Sequence, residues 1–166
     1  MAKGRSPVHG SSEKRVFYTY NMPFGKVTVA SDGSAITNVA LGSKRFPGDF
    51  APDAITNHCA NQLVEYLSGK RSVFDVPIRP NGTDFQLRAW ETMGTIPYSH
   101  TMTSTQLAEA MGAPEAYRMI GAAVRKNPII VLIPAHRVVP SSGHVNKKDK
   151  HAMLRAAFRD LEQRFA

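Results

Sequence analysis

The apolar residues of this chain change their period once, at Pro80-Asn81-Gly82, and that change dictates a two-part fold. Before it, residues 16–20, 26–30 and 35–41 alternate or run in β-branched and aromatic types, separated by Asn21, Pro23, Gly25, Asp32 and Gly33. The pattern predicts a small antiparallel meander. A helix over residues 54–67 follows, with Leu63, Tyr66 and Leu67 at helical spacing and a stop at Ser68-Gly69. Residues 71–80 read as an extended connector that ends in turn residues.

Beyond the change the chain is mostly helical. Thr83-Asp84 caps a helix carrying Phe85, Leu87, Trp90 and Met93. Residues 103–111 and 115–126 form two helices about Gly112-Ala113-Pro114, the outline of a helix-turn-helix. The apolar run 128–135 suits a buried strand, and residues 150–163 a last helix with Met153, Leu154, Phe158 and Leu161 along one side. The expected domains are 16–80 and 81–166, after a basic tail over residues 1–15. A chain of 166 residues suffices for two small cores of this kind.

Charge and cysteine usage narrow the function. Lys and Arg exceed Asp and Glu by 21 to 13, which favours a polyanionic partner. No apolar run reaches the length of a bilayer span, and the polar amino terminus lacks the apolar stretch of a secretory signal. A soluble intracellular monomer, with no membrane partner, is the expectation. The single cysteine, Cys59, excludes an intramolecular disulfide framework and a cysteine-based zinc site, and suits a thiol packed on a helix. His136, His144 and His151 have no carboxylate or thiol at ligand spacing, so neither a metal nor a cofactor is expected.

On the helix over residues 115–126, Arg118, Ala122 and Arg125 share one face, while Met119, Ile120, Ala123 and Val124 supply the apolar side. Gly121 and Ala122 keep the basic face low, which lets such a helix sit close in a groove with its arginines toward phosphates or an unstacked base position. The same residues also describe an ordinary solvated basic face, and local features leave both open.

The segment Ile133-Pro134-Ala135-His136-Arg137-Val138 resembles the signature of the O6-alkylguanine-DNA alkyltransferases, Pro-Cys-His-Arg-Val. Thr83-Asp84-Phe85-Gln86, Ile96-Pro97-Tyr98, Leu107-Ala108, Gly112-Ala113-Pro114, Ala116, Arg118, Gly121 and Asn127-Pro128 stand at the family's spacings, and Tyr66-Leu67-Ser68-Gly69 fits more loosely. The resemblance implies an α+β chain: a small ribonuclease-H-like α/β amino-terminal domain, then a mostly helical winged helix-turn-helix domain. Members of the family bind the minor groove of double-stranded DNA, flip the damaged guanine out and move its alkyl group onto the signature cysteine. By that resemblance Arg118 fills the gap left by the flipped base, and Arg125, Lys126 and Arg137 lie near phosphates beside Ser104 and Ala122. Asn127 is the hinge, Pro134, Ala135 and Val145 border the pocket, and His136 relays a proton from the cysteine.

Four positions depart from the pattern. Ala135 has no sulfur, so direct transfer there is excluded. Counting seven residues from Lys150, the position of the family's activating glutamate falls on Ala157, which would leave His136 unsupported. Ser104 replaces the tyrosine that helps rotate the base, and residues 143–149 suggest a pocket loop several residues shorter than the family's. On this basis Ala135→Cys alone is not expected to restore transfer. The resemblance then points to the alkyltransferase-like proteins, non-catalytic binders that flag O6-alkylguanine-type lesions for excision-repair proteins. Two other functions remain open from the residues: a non-specific DNA binder or scaffold, and a repurposed enzyme using His136, His144, His151 or Cys59.

Overall fold

The computed structural model describes residues 14–166. Its chain divides into two compact units between Asn81 and Gly82. The expected tail lies outside the described residues, except for Lys14 and Arg15.

Among the described residues, the first unit is a four-stranded sheet with one helix. Strands β1 (Val16–Met22), β2 (Gly25–Ser31), β3 (Ile36–Leu41) and β4 (Asp49–Phe50) stand in the order β3-β2-β1-β4. The first three are the antiparallel meander, and the two-residue β4 adds a parallel edge to β1 that its brevity hides from any periodicity argument. Strand β2 does not alternate, because Val27 to Ser31 are all buried. Its small residues face a loop, where the Thr28 hydroxyl donates to the Gly42 carbonyl (2.7 Å) and accepts from the Lys44 N–H (3.0 Å).

Helix α1 (Ala54–Leu67) opens with a capping box in which Asp53 and Thr56 exchange side-chain-to-backbone bonds. The other Asp53 carboxylate oxygen accepts from Ser31 Oγ at 2.9 Å, which ties the helix start to β2. Cys59, Leu63 and Tyr66 recur on its inward face and are buried. The connector closes the unit as Ile36 N–H donates to Pro77 O and Arg79 N–H to Ile36 O. Asp32 binds Arg79, and although burial pushes its carboxyl up, the Ser34 and Ala35 N–H groups and Arg79 together hold it below the usual range.

The second unit contains α2 (Asp84–Met93), α3 (Ser104–Ala110), α4 (Tyr117–Arg125) and α5 (Lys150–Phe165). Capping boxes at Thr83/Gln86 and Thr103/Gln106 start α2 and α3. The pair α3–α4 is the helix-turn-helix, its turn wound as a 3₁₀ segment, Pro114–Ala116. Trp90 fixes α4 from below by donating its indole N–H to the Ala123 carbonyl at 2.9 Å. Two short strands, β5 (Met102–Thr103) and β6 (Val138–Val139), pair in parallel. The fold is thus α+β, a small sheet-and-helix unit followed by a mostly helical one, as the resemblance implies. Among the described residues, no helix is long and apolar enough to cross a membrane.

The run 128–135 is not a strand. Val131 takes a left-handed backbone (φ 72°), so Ile130 and Ile133 meet only in an isolated bridge and the segment doubles back. A β-branched residue seldom adopts that conformation, and its apolar neighbours carry no sign of the turn.

Candidate nucleic-acid interface and pocket

Helix α4 exposes the face that its spacing predicts. Arg118, Arg125 and Lys126 are exposed and Ala122 is half-buried, while Ile120, Ala123 and Val124 are buried. The Arg118 guanidinium stands 5.9 Å from the centroid of the Tyr117 ring, itself exposed. Gly121 leaves room on the helix: a methyl group there would lie 3.6 Å from Arg125 Nη1, so the guanidinium extends back over the glycine.

The end of α4 is joined to the signature segment by Asn127. Its Nδ2 donates to the Ile133 carbonyl at 2.9 Å, and its Oδ1 accepts from the Ile129 N–H at 3.0 Å. Pro134, Ala135 and His136 follow, all buried, with Ala135 opening the 3₁₀ turn Ala135–Arg137.

The strongest departure from expectation is Glu162. Its carboxylate, 1% exposed, accepts from His136 Nε2 at 2.6 Å, from Arg137 Nε at 2.9 Å and Nη2 at 3.0 Å, and from the Ser99 N–H at 2.9 Å. Ala157 is exposed and does not support the histidine, so the glutamate expected there stands instead at Glu162. Seven residues before Glu162 is Arg155, not Lys150, a slip of five in the register used to count along this helix.

His136 is therefore oriented. Burial pushes its pKa down; Glu162 pulls it back, and Arg137 and Arg159 push it further down. Since Arg137 already balances the carboxylate, the imidazole is neutral, and a Nε2–H donated to Glu162 leaves Nδ1 the acceptor.

Arg137 corrects a second expectation. It does not lie among phosphate contacts, being 8% exposed, and it also donates Nη1 to the Ile96 carbonyl at 2.8 Å. The acidic partner that draws it inward comes from α5, far along the chain.

Beside this knot is a cavity of about 400 Å3, within the usual range for a small-ligand site. Val124, Val138, Val139 and Val145 give it apolar walls, and Ser104, Tyr117 and Gly121 stand around it. Ser104 is half-buried, with its hydroxyl 3.3 Å from that of Ser141. Arg125, Arg155 and Arg159 line the same space. Burial pushes Arg155 and Arg159 below the ordinary guanidinium value, opposed by Asp149 and Asp160 respectively. His144 also lines it and His151 is exposed on α5. Among the described residues, no group of three His, Cys, Asp or Glu could hold a metal ion.

Neither Tyr117 nor the arginines of α5 stand out in the sequence. Glu162 leaves a signal: it lies four residues after Phe158, which puts a carboxylate on the buried stripe of α5.

Comparison with known proteins covers nearly the whole described chain. Residues 84–164 match the profile of the 6-O-methylguanine DNA methyltransferase DNA binding domain, and residues 16–80 that of the ribonuclease-like domain of the same family. The methylated-DNA–protein-cysteine methyltransferase of Mycobacterium bovis is 33% identical over 151 residues, covering 89% of this chain and 92% of its own. The protein of that name from Methanosarcina barkeri is 37% identical over 126 residues, covering 73% and 80%. The structure of Mycobacterium tuberculosis OGT in complex with DNA superimposes with a TM-score of 0.81 at 34% identity, covering 91% of this chain and 94% of that one.

Proposed function

Because the chain belongs to the O6-methylguanine DNA methyltransferase family, we propose that it binds duplex DNA and recognises O6-alkylguanine-type lesions without accepting the alkyl group. The observation that carries this is an exposed Arg118/Arg125 face on α4, joined through Asn127 to a signature segment whose reactive position holds only a methyl group, Ala135. A relative 34% identical and solved in complex with DNA supports DNA as the partner.

In this mechanism α4 enters the minor groove and Arg118 takes the place of the extruded base. Arg125 and Lys126 pair with phosphates, which makes affinity fall steeply with salt. Asn127 keeps α4 and the signature segment in register. The extruded guanine enters the pocket but meets no thiolate, so capture ends in a complex that excision-repair proteins can recognise. Cys59 does not substitute for the missing nucleophile, since it is buried and burial pushes its thiol up to about 12.

A repurposed activity would draw on His136, whose ring is buried and bound to Glu162, or on a histidine such as His144, which lines the cavity. A non-specific binder differs from the proposal in one measurable property. Matched duplexes with and without O6-methylguanine, titrated with the protein and with Arg118→Ala, separate the two. The proposal expects tighter capture of the lesion-bearing duplex and loss of that preference in the variant. Equal binding of both duplexes by both proteins would remove it.

A further inference from the structure

The charge of the pocket does not suit a purely neutral occupant. Arg155 and Arg159, one turn apart on α5, and Arg125 from α4 line it against a single lining carboxylate, Asp149. That carboxylate already caps α5 by accepting the His151 and Ala152 N–H groups at 2.9 and 3.3 Å. Arg159 donates Nη1 to the His136 carbonyl at 3.0 Å. Among the described residues, Arg155 forms no hydrogen bond and no close ion pair, and meets only the longer-range fields of Asp149, Arg159 and Arg125. Arg155 thus brings to the cavity guanidinium N–H donors that no protein group takes up, and an anion there would supply their partner.

We propose that the pocket selects O6-alkylguanines whose alkyl group ends in an anion, with Arg155 as the residue that pairs with it. The inference rests on the proposal that this cavity receives an extruded O6-alkylguanine. The valine walls accept the faces of the base, and the arginines of α5 receive the end of the substituent. A phosphate of the extruded nucleotide offers the same chemistry, so the test must separate adduct from backbone.

The full chain is titrated against three duplexes of one sequence, containing guanine, O6-carbamoylmethylguanine or O6-carboxymethylguanine at the same position. The two adducts differ by an amide against a carboxylate, with nearly equal size. The carboxymethyl duplex should bind about tenfold tighter than the carbamoylmethyl one, the worth of one charge-assisted bond away from bulk water. Arg155→Met should bring the two adducts within about twofold of each other, and Arg155→Lys should keep part of the preference. Matching thermal melts of the variants and the parent establish that the fold is unchanged. Equal binding of the two adducts, both above guanine, would overturn this inference and leave lesion recognition standing. No preference for either adduct would overturn both. An equal loss against all three duplexes in Arg155→Met would assign the residue to a backbone phosphate, and would also overturn the inference.

Discussion

Two arginines of the second unit, Arg137 and Arg155, end in opposite situations, the one buried in the fold and the other at the wall of a cavity. Arg137 donates three hydrogen bonds to Glu162 and Ile96, in a knot that also holds His136 and Ser99. Arg155 lines a cavity and forms no such bonds among the described residues. The satisfied arginine is structural, since its bonds are all spent within the fold. The unsatisfied one retains its capacity for a ligand. A buried ion pair is costly to assemble and far more costly to break, whereas a cation at a pocket wall that keeps water as its partner is free to exchange that water for an anion. Under the proposed function the knot and the pocket would divide the labour that an alkyltransferase combines: one would hold the signature segment still, the other would receive the base.

The largest expected effect tests whether the knot remains a proton relay. With Glu162 in place, Ala135→Cys should take up one methyl group per molecule from O6-methylguanine in DNA, visible in the intact mass, where the parent takes up none. Absence of transfer would confine the knot to a structural role. Next is Glu162→Gln, which leaves Arg137 buried without its countercharge and should cost about 3–5 kcal/mol in urea unfolding, as for other broken buried pairs. A loss below about 1 kcal/mol would mean that water reaches Arg137 and that the contrast with Arg155 is false.

Arg118→Ala should weaken binding to lesion-bearing duplex by about tenfold while leaving the unfolding midpoint unchanged, because the side chain is exposed. The smallest effect is in pH. Burial lowers the pKa of His136 from its ordinary 6.5, so the unfolded chain takes up this proton at higher pH than the folded one. The stability that neutral His136 contributes is therefore complete above about pH 6.5 and declines as pH falls toward the folded value, by at most about 1.4 kcal/mol per pH unit. Urea titrations on either side of that window should show a steeper acid loss for the parent than for His136→Gln.

Much of the second unit is legible locally. Thr83 and Thr103 announce their helices three residues ahead of Gln86 and Gln106, and Trp90 declares a buried face. The face of α4 that carries Arg118 and Arg125 follows from spacing alone. The turn at Val131 does not, since a valine in a left-handed backbone breaks the preference from which such turns are read. Glu162 was hidden by a choice of register. Lys150 and Arg155 both begin a seven-residue count, and only Arg155 leads to a carboxylate. Five residues turn a helix by about 1.4 revolutions, a net offset of about 140°, enough to exchange the exposed Ala157 for the buried Glu162.

The sequence by itself determined what is short in range: the switch of hydrophobic period at Pro80-Asn81-Gly82, the capped helices, the low basic face of α4 and the absence of sulfur at Ala135. Only the tertiary structure decided the partners of the charges. Composition counts Arg137 and Arg155 alike as cations, but desolvation and Coulomb energy depend on which distant element arrives opposite each one. Helix α5 brings Glu162 to Arg137 and leaves Arg155 facing a cavity, and it is that packing which separates a residue of the fold from a residue of the site.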